Sequence, residues 1–177
     1  MDKIKIRQER KTDFKAVFDL IERAFKTENL SDHKEQFLVE RLRQSNSFIP
    51  QLSMIAEIDN KIVGHILVTK LKIKNNQTEF DSLALAPVSV LPKFQGNGIG
   101  GMLIKEAHKT AIELGYKSIV LLGHENYYPK FGYELTEKFG IVLPFDVPKE
   151  NCMVIELIEN GLKGVTGTVE YPKEFNG

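Results

Sequence analysis

The six residues from Gly96 to Gly101 include four glycines. They lie between an apolar run, Phe80 to Leu91, and a stretch whose apolar residues Ile99, Leu103, Ala107 and Ala111 recur at helical spacing. Backbone this rich in glycine loses more conformational entropy on folding than any other, so close approach or unusual dihedrals must require it. The apolar run reads as a central strand buried on both faces. The helix, Gly98 to Leu114, ends at Gly115, and Lys117 to Leu122 supplies the next strand. Two strands of one sheet joined by a helix run parallel. The chain therefore contains a strand–loop–helix–strand unit with its glycines at the positive end of the helix.

Three ligand readings of that loop compete. A nucleotide P-loop ends in Gly-Lys-Ser/Thr, whereas these glycines run into Met102, which excludes it. Gly96-x-Gly98-x-x-Gly101 has the letters of the dinucleotide fingerprint, with Glu125 at a suitable distance for a ribose. That fingerprint should follow its strand directly and open a doubly wound sheet; here Pro92 to Gln95 intervene, in mid-chain. The third reading is a cup of backbone N–H groups that holds a pyrophosphate at a helix N-terminus, where four donors are unpaired and the dipole favours an anion.

The rest of the chain frames this unit. Ile4 and Ile6 suggest a short opening strand. Thr12 or Asp13 is placed to cap a helix whose apolar face is Phe14, Val17, Phe18, Ile21 and Phe25. A second helix is expected from about Asp32, with Phe37, Leu38 and Leu42 inward and Pro50 closing it. Met54 to Ile58, Asp59-Asn60 and Lys61 to Val68 read as a hairpin, with Gly64 marking a bulge. Lys70, Lys72 and Lys74 alternate with Leu71 and Ile73, as on the solvent face of a strand. A short helix around Tyr127 to Phe131, a strand near Tyr133 and the run from Cys152 complete the sheet, while Gly161, Gly164 and Gly167 read as turns.

Composition excludes several classes. The 177 residues carry 24 basic and 24 acidic side chains, so no global field recruits nucleic acid or an anionic membrane. Cys152 is the only cysteine, which rules out an intrachain disulfide, and in its apolar run it reads as a buried thiol. The polar start MDKIKIRQERKTD has no signal-peptide core and no apolar stretch approaches a membrane span, so the cytoplasm is the expected compartment. No His/Asp/Glu spacing suggests a metal site.

Val88 to Gly100, V-x-V-L-P-x-x-Q-G-x-G-I-G, resembles the acyl-CoA-binding motif of the GNAT superfamily of acetyltransferases. GHENYYPKFGYE, Gly123 to Glu134, and LKGVTGTVEYPKEF, Leu162 to Phe175, resemble its YhbS-like branch. The resemblance implies an α/β fold: a mixed, mostly antiparallel sheet with a central parallel strand pair splayed around acyl-CoA, flanked by helices. It implies an N-acetyltransferase domain over residues 1–148 and a carboxyl-terminal segment, 149–177, that completes the sheet and the acceptor side. The activity implied is direct acetyl transfer from acetyl-CoA to a primary amine of a small molecule or peptide, by a monomer or homodimer without metal. A CoA-binding sensor with little transferase activity is the alternative.

The same resemblance assigns residues. Val88, Ser89 and Val90 would offer backbone groups to the pantetheine arm as an added strand; Pro87, unable to donate to a ladder, reads as a bulge, a break or an edge residue. Gln95, Gly96, Asn97, Gly98, Ile99, Gly100 and Gly101 would hold the pyrophosphate. Tyr128, four residues before Gly132, matches the family's tyrosine that protonates the leaving thiolate, although adjacent Tyr127 could serve. A phenol of pKa ~10 can donate to a thiolate whose acid is near ~8.5 as the C–S bond breaks. The base stays open: His124 and Glu125 lie at the carboxyl end of a parallel strand, where sites gather. His33 and His108 fall on expected helices and His65 within a strand. The acceptor is expected against the loop Glu28 to Ser31 and the carboxyl-terminal segment, neither with a clear charge bias.

Overall fold

The computed structural model describes residues 3–177; Met1 and Asp2, the start of the polar amino terminus, lie outside the described residues. The chain runs β1 (Lys5–Gln8), α1 (Phe14–Phe25), α2 (Glu35–Arg43), β2 (Ser53–Ile58), β3 (Lys61–Lys74), β4 (Glu79–Val90), α3 (Ile99–Glu113), β5 (Ser118–Leu122), β6 (Glu134–Leu135), β7 (Ile141–Val142), β8 (Cys152–Glu156) and β9 (Gly167–Glu170). The strands form one mixed sheet of order β1-β2-β3-β4-β5-β8-β6, with β9 on β3 and β7. All pairs are antiparallel except β4 with β5 and β7 with β9. This is the expected mixed, mostly antiparallel sheet with a central parallel pair.

Local chemistry explains the joints. Asp59 and Asn60 both have positive φ, 49° and 61°, as a two-residue hairpin turn requires. Beside Gly64, Val63 is the extra residue of a bulge opposite Ala56 and Glu57. A second bulge sets Ala86 and Pro87 against Leu67 alone, the reading that proline allowed. The two sheet faces carry different cores. Ile66, Leu83, Ile119 and Met153 pack under Leu103 and Ala107 of α3. The opposite face is covered by α1 and α2 through Val17, Ile21 and Leu42, and by the carboxyl-terminal segment through Leu162 and Val169.

Five expectations are corrected. Phe37 is 47% exposed, because α2 starts at Glu35 and its buried stripe is Gln36, Val39 and Leu42; Phe37 instead meets Phe18 edge-on. The helix ends at Arg43, and Pro50 opens a separate 3-10 turn. His33 precedes α2 with φ 60° rather than lying on a helix. Gly167 starts a strand instead of serving only as a turn. The cap also differs: Asp13 accepts the Arg10 N–H at 2.7 Å and the Arg7 guanidinium at 2.7 Å, tying the helix entry to β1. That Arg7 hydrogen bond holds its carboxyl below the usual range.

A buried polar knot ties β1, α2, β2 and β3 together. Arg43 pairs with Glu9 at 2.5 Å, and Ser53 Oγ donates to Glu9 Oε2 at 2.6 Å and lies 3.2 Å from His65 Nε2. Burial, aided by the Arg43 charge, lowers the His65 pKa to about 3. The ring is therefore neutral despite Glu9 Oε1 at 3.8 Å, and Arg43 balances the carboxylate. Serine, histidine and acid are all present, but the acid and the serine both approach Nε2 and His65 has no solvent exposure. A nucleophilic triad instead needs its acid on the far nitrogen.

Candidate active site

β4 and β5 share only the pairs Leu83–Ile119 and Ala84–Val120. Beyond them the strands part, and a cleft of about 990 Å³ runs along Leu85 to Val90 to the start of α3. On its other side β4 stays paired with β3, and the register sorts its backbone groups. Leu91 N–H donates to Val63 at 2.9 Å, and hydrogen-bonded pairs alternate along an antiparallel ladder. The Ser89–His65 pair is thus a bonded one, whereas the N–H and C=O of Val88 and Val90 point into the cleft. Gln95 Nε2 donates to Val90 O at 3.1 Å, bracing the glycine loop against the strand. Asn97 Nδ2 donates to the carbonyls of Phe94 and Gln95.

The loop holds its main chain open. Gly96 and Gly98 have φ of 79° and 76°, a region that side chains disfavour. Gly100 and Gly101 are needed for space: a Cβ would come within 2.7 Å of the Tyr127 hydroxyl and 3.0 Å of the Phe131 ring. The first helical bond is Met102 N–H to Gly98 O. Among the described residues, the six N–H groups from Gly96 to Gly101 find no acceptor. They lie at the head of a 15-residue helix, anchored by Ile99, which is 2% exposed.

Tyr127 and Tyr128 follow β5 and pack on the α3 face. Their rings meet edge-on at 5.0 Å, Tyr128 also meets Tyr133, and Lys130 Nζ lies 4.1 Å over Tyr127. Burial raises both phenol pKa values, and for Tyr128 the neighbouring Tyr127 adds to it, so both stay protonated. Tyr127 aims its hydroxyl at Gly100, while Tyr128 lays its ring edge against Gly123. Both line the cleft, so the choice between them rests on chemistry.

The sequence singled out His124 and the loop from Glu28 but not the other charges around the cleft. Lys105 on α3 and Lys130 over Tyr127 line it, together with Glu28, Glu35 and His124. Glu125 and Asn126 face a separate shallow depression of about 690 Å³. His108 is on α3 as expected, with Nε2 2.9 Å from the Tyr133 hydroxyl, and burial lowers its pKa to about 4. Cys152 is buried, and its thiol pKa is raised by that burial. No described helix is long and apolar enough to cross a membrane.

The chain matches the acetyltransferase (GNAT) domain family over residues 5–136. It is 33% identical over 139 residues to the uncharacterized N-acetyltransferase YjhQ of Escherichia coli K12, covering 77% of each. To YhbS of the same organism it is 26% identical over 171 residues, 97% of this chain and 98% of that one. The crystal structure of E. coli YhbS in complex with CoA aligns with a TM-score of 0.87 at 27% identity, covering 100% of this chain and 94% of the other. A GNAT family acetyltransferase from Brucella melitensis in complex with acetyl-CoA aligns at 0.79 with 30% identity, covering 99% of each. Fold, cleft and sequence agree, and the chain belongs to the GNAT family of N-acetyltransferases.

Proposed function

We propose that this chain binds acetyl-CoA in the cleft between β4 and β5 and transfers the acetyl group directly to a primary amine of a small molecule or peptide. The observation that carries this reading is the row of six unpaired N–H groups from Gly96 to Gly101. An anion at a helix N-terminus gains both the hydrogen bonds and the dipole, and a pyrophosphate has enough oxygens to use several of them. The outward N–H and C=O groups of Val88 and Val90 suit an amide-bearing arm laid alongside β4 as an added strand. Lys105 and Lys130 add positive charge on the same side. The relatives crystallised with CoA and acetyl-CoA support the same ligand.

The chemistry needs an uncharged amine, a donor for the tetrahedral oxyanion and a proton for the departing thiolate. A backbone N–H of Val88 or Val90 meets the second need; oxyanion donors contribute ~10²–10³ in rate. Tyr128 meets the third, with Gly123 and Tyr133 fixing its ring. Because burial keeps its phenol protonated, the proton moves as sulfur gains charge. Tyr128→Phe is expected to lower kcat for thiol release from acetyl-CoA about 100-fold while leaving CoA affinity, measured by calorimetry, unchanged. An equal loss in Tyr127→Phe with none in Tyr128→Phe would move the role to Tyr127. A CoA titration with no heat, or thiol release no faster than background hydrolysis with every amine offered, would remove the reading.

A further inference from the structure

Glu28, in the loop after α1, and His124, just past the end of β5, meet across the mouth of the cleft, with Glu28 Oε2 3.6 Å from His124 Nε2. Their side chains are 42% and 59% exposed, and an ion pair this open contributes little to stability. Both line the cleft, as do Lys105 and Lys130. The other polar side chains there are poorly suited to accept a proton. The two lysines are cations, and Tyr127 and Tyr128 are held protonated by burial. Glu35 engages Ser31 through Oε1, and its Oε2, though unpartnered, is enclosed away from an incoming ammonium. Asn151, which donates to Gly123 O at 3.0 Å, fixes the backbone beside His124 and does not titrate.

We propose that His124, oriented by Glu28, is the base that takes the proton from the acceptor's ammonium group, an assignment that rests on the acetyl-transfer reading above. At 3.6 Å the carboxylate stands just beyond hydrogen-bond length of Nε2; tightening with substrate bound, as catalytic contacts do, it accepts from Nε2–H and leaves the lone pair on Nδ1, since the partner of one ring nitrogen sets the role of the other. The ammonium gives one proton to Nδ1. The amine lone pair then forms the C–N bond, and the C–S bond breaks with its electron pair going to sulfur, which takes the Tyr128 proton. The nitrogen's second proton returns to Tyr128 through solvent. His124 releases its own, so one proton per turnover reaches water.

The test is the pH profile of kcat/KM for acetyl-CoA-dependent thiol release, with 1,4-diaminobutane, phenethylamine and glycinamide as probe amines, plus CoA calorimetry on each variant. His124→Gln is expected to lose about 100-fold near neutral pH and to regain rate as the pH rises and free amine appears in solution. Glu28→Ala, which leaves Nε2–H without its acceptor, is expected to lose about tenfold in kcat/KM, and Glu28→Gln, which keeps an acceptor, to recover most of that. A merely structural role would show neither rescue by glutamine nor a His124→Gln loss that fades as the pH rises. A wild-type profile in His124→Gln overturns the assignment and leaves acetyl transfer standing. CoA binding without thiol release from any probe overturns both, and an absence of CoA binding removes the cofactor reading itself.

Discussion

Gly98→Asp is expected to weaken CoA binding about 10³-fold with the fold intact. At Gly98 φ is 76° and a Cβ would meet nothing within 4 Å, so the constraint is the dihedral, which aspartate tolerates better than most residues. The new carboxylate would sit at the helix head and accept the N–H groups left free for the pyrophosphate, as an N-cap does. Two displaced hydrogen bonds to a charged group, at ~1.5–3 kcal/mol each, give a factor of that order. Gly98→Asn has the same shape without the charge and should lose only about tenfold. Calorimetric titration with CoA, beside thermal unfolding of each variant, decides it. Equal affinities in the aspartate and asparagine variants would show that charge at the loop is irrelevant, and with it the anion-cup account.

Lowering the pH from about 7 to about 5 is expected to remove ~4 kcal/mol of folding stability. His65 is held neutral to about pH 3 by burial and, secondarily, by Arg43; His108 is held neutral to about pH 4 by burial. In the unfolded chain both titrate near 6.5. Below that value the unfolded state binds more protons than the folded one, so stability falls with pH through the window between the unfolded and folded pKa values. It is fully present above about 6.5. At pH 5 each ring contributes ~2 kcal/mol of loss, at ~1.4 kcal/mol per unit. Urea unfolding at the two pH values measures the total. His108→Gln, which can still accept from Tyr133, should shrink the loss by ~2 kcal/mol. An unchanged pH dependence in that variant would show that His108 is not titrating on unfolding.

What the sequence disclosed was set by how local each signal is. The Asp59-Asn60 turn, the helix ended by Gly115 and the glycine loop each rest on residues within a few positions of one another, and each appears where expected. Pro87 disclosed the bulge because proline cannot join the ladder on both sides. Phe37 misled because an apolar side chain within helical spacing does not say which of two adjacent stripes is buried. β9 is four residues with one buried side chain, Val169, too little alternation to stand out. The polar knot joins Glu9 to Arg43 and Ser53, 34 and 44 positions away. Glu28 and His124 come together only because β5 ends beneath the loop after α1. Periodicity cannot register such meetings.

The meeting of β4 and β5 along only two residue pairs has a mechanical consequence. Strands β1 to β4 lie on one side of that joint and β5, β8 and β6 on the other, so beyond the two pairs the sheet is held by the core packed under α3 and not by a ladder. An extended amide chain laid into that gap would act as the missing strand, so cofactor and sheet would stiffen together.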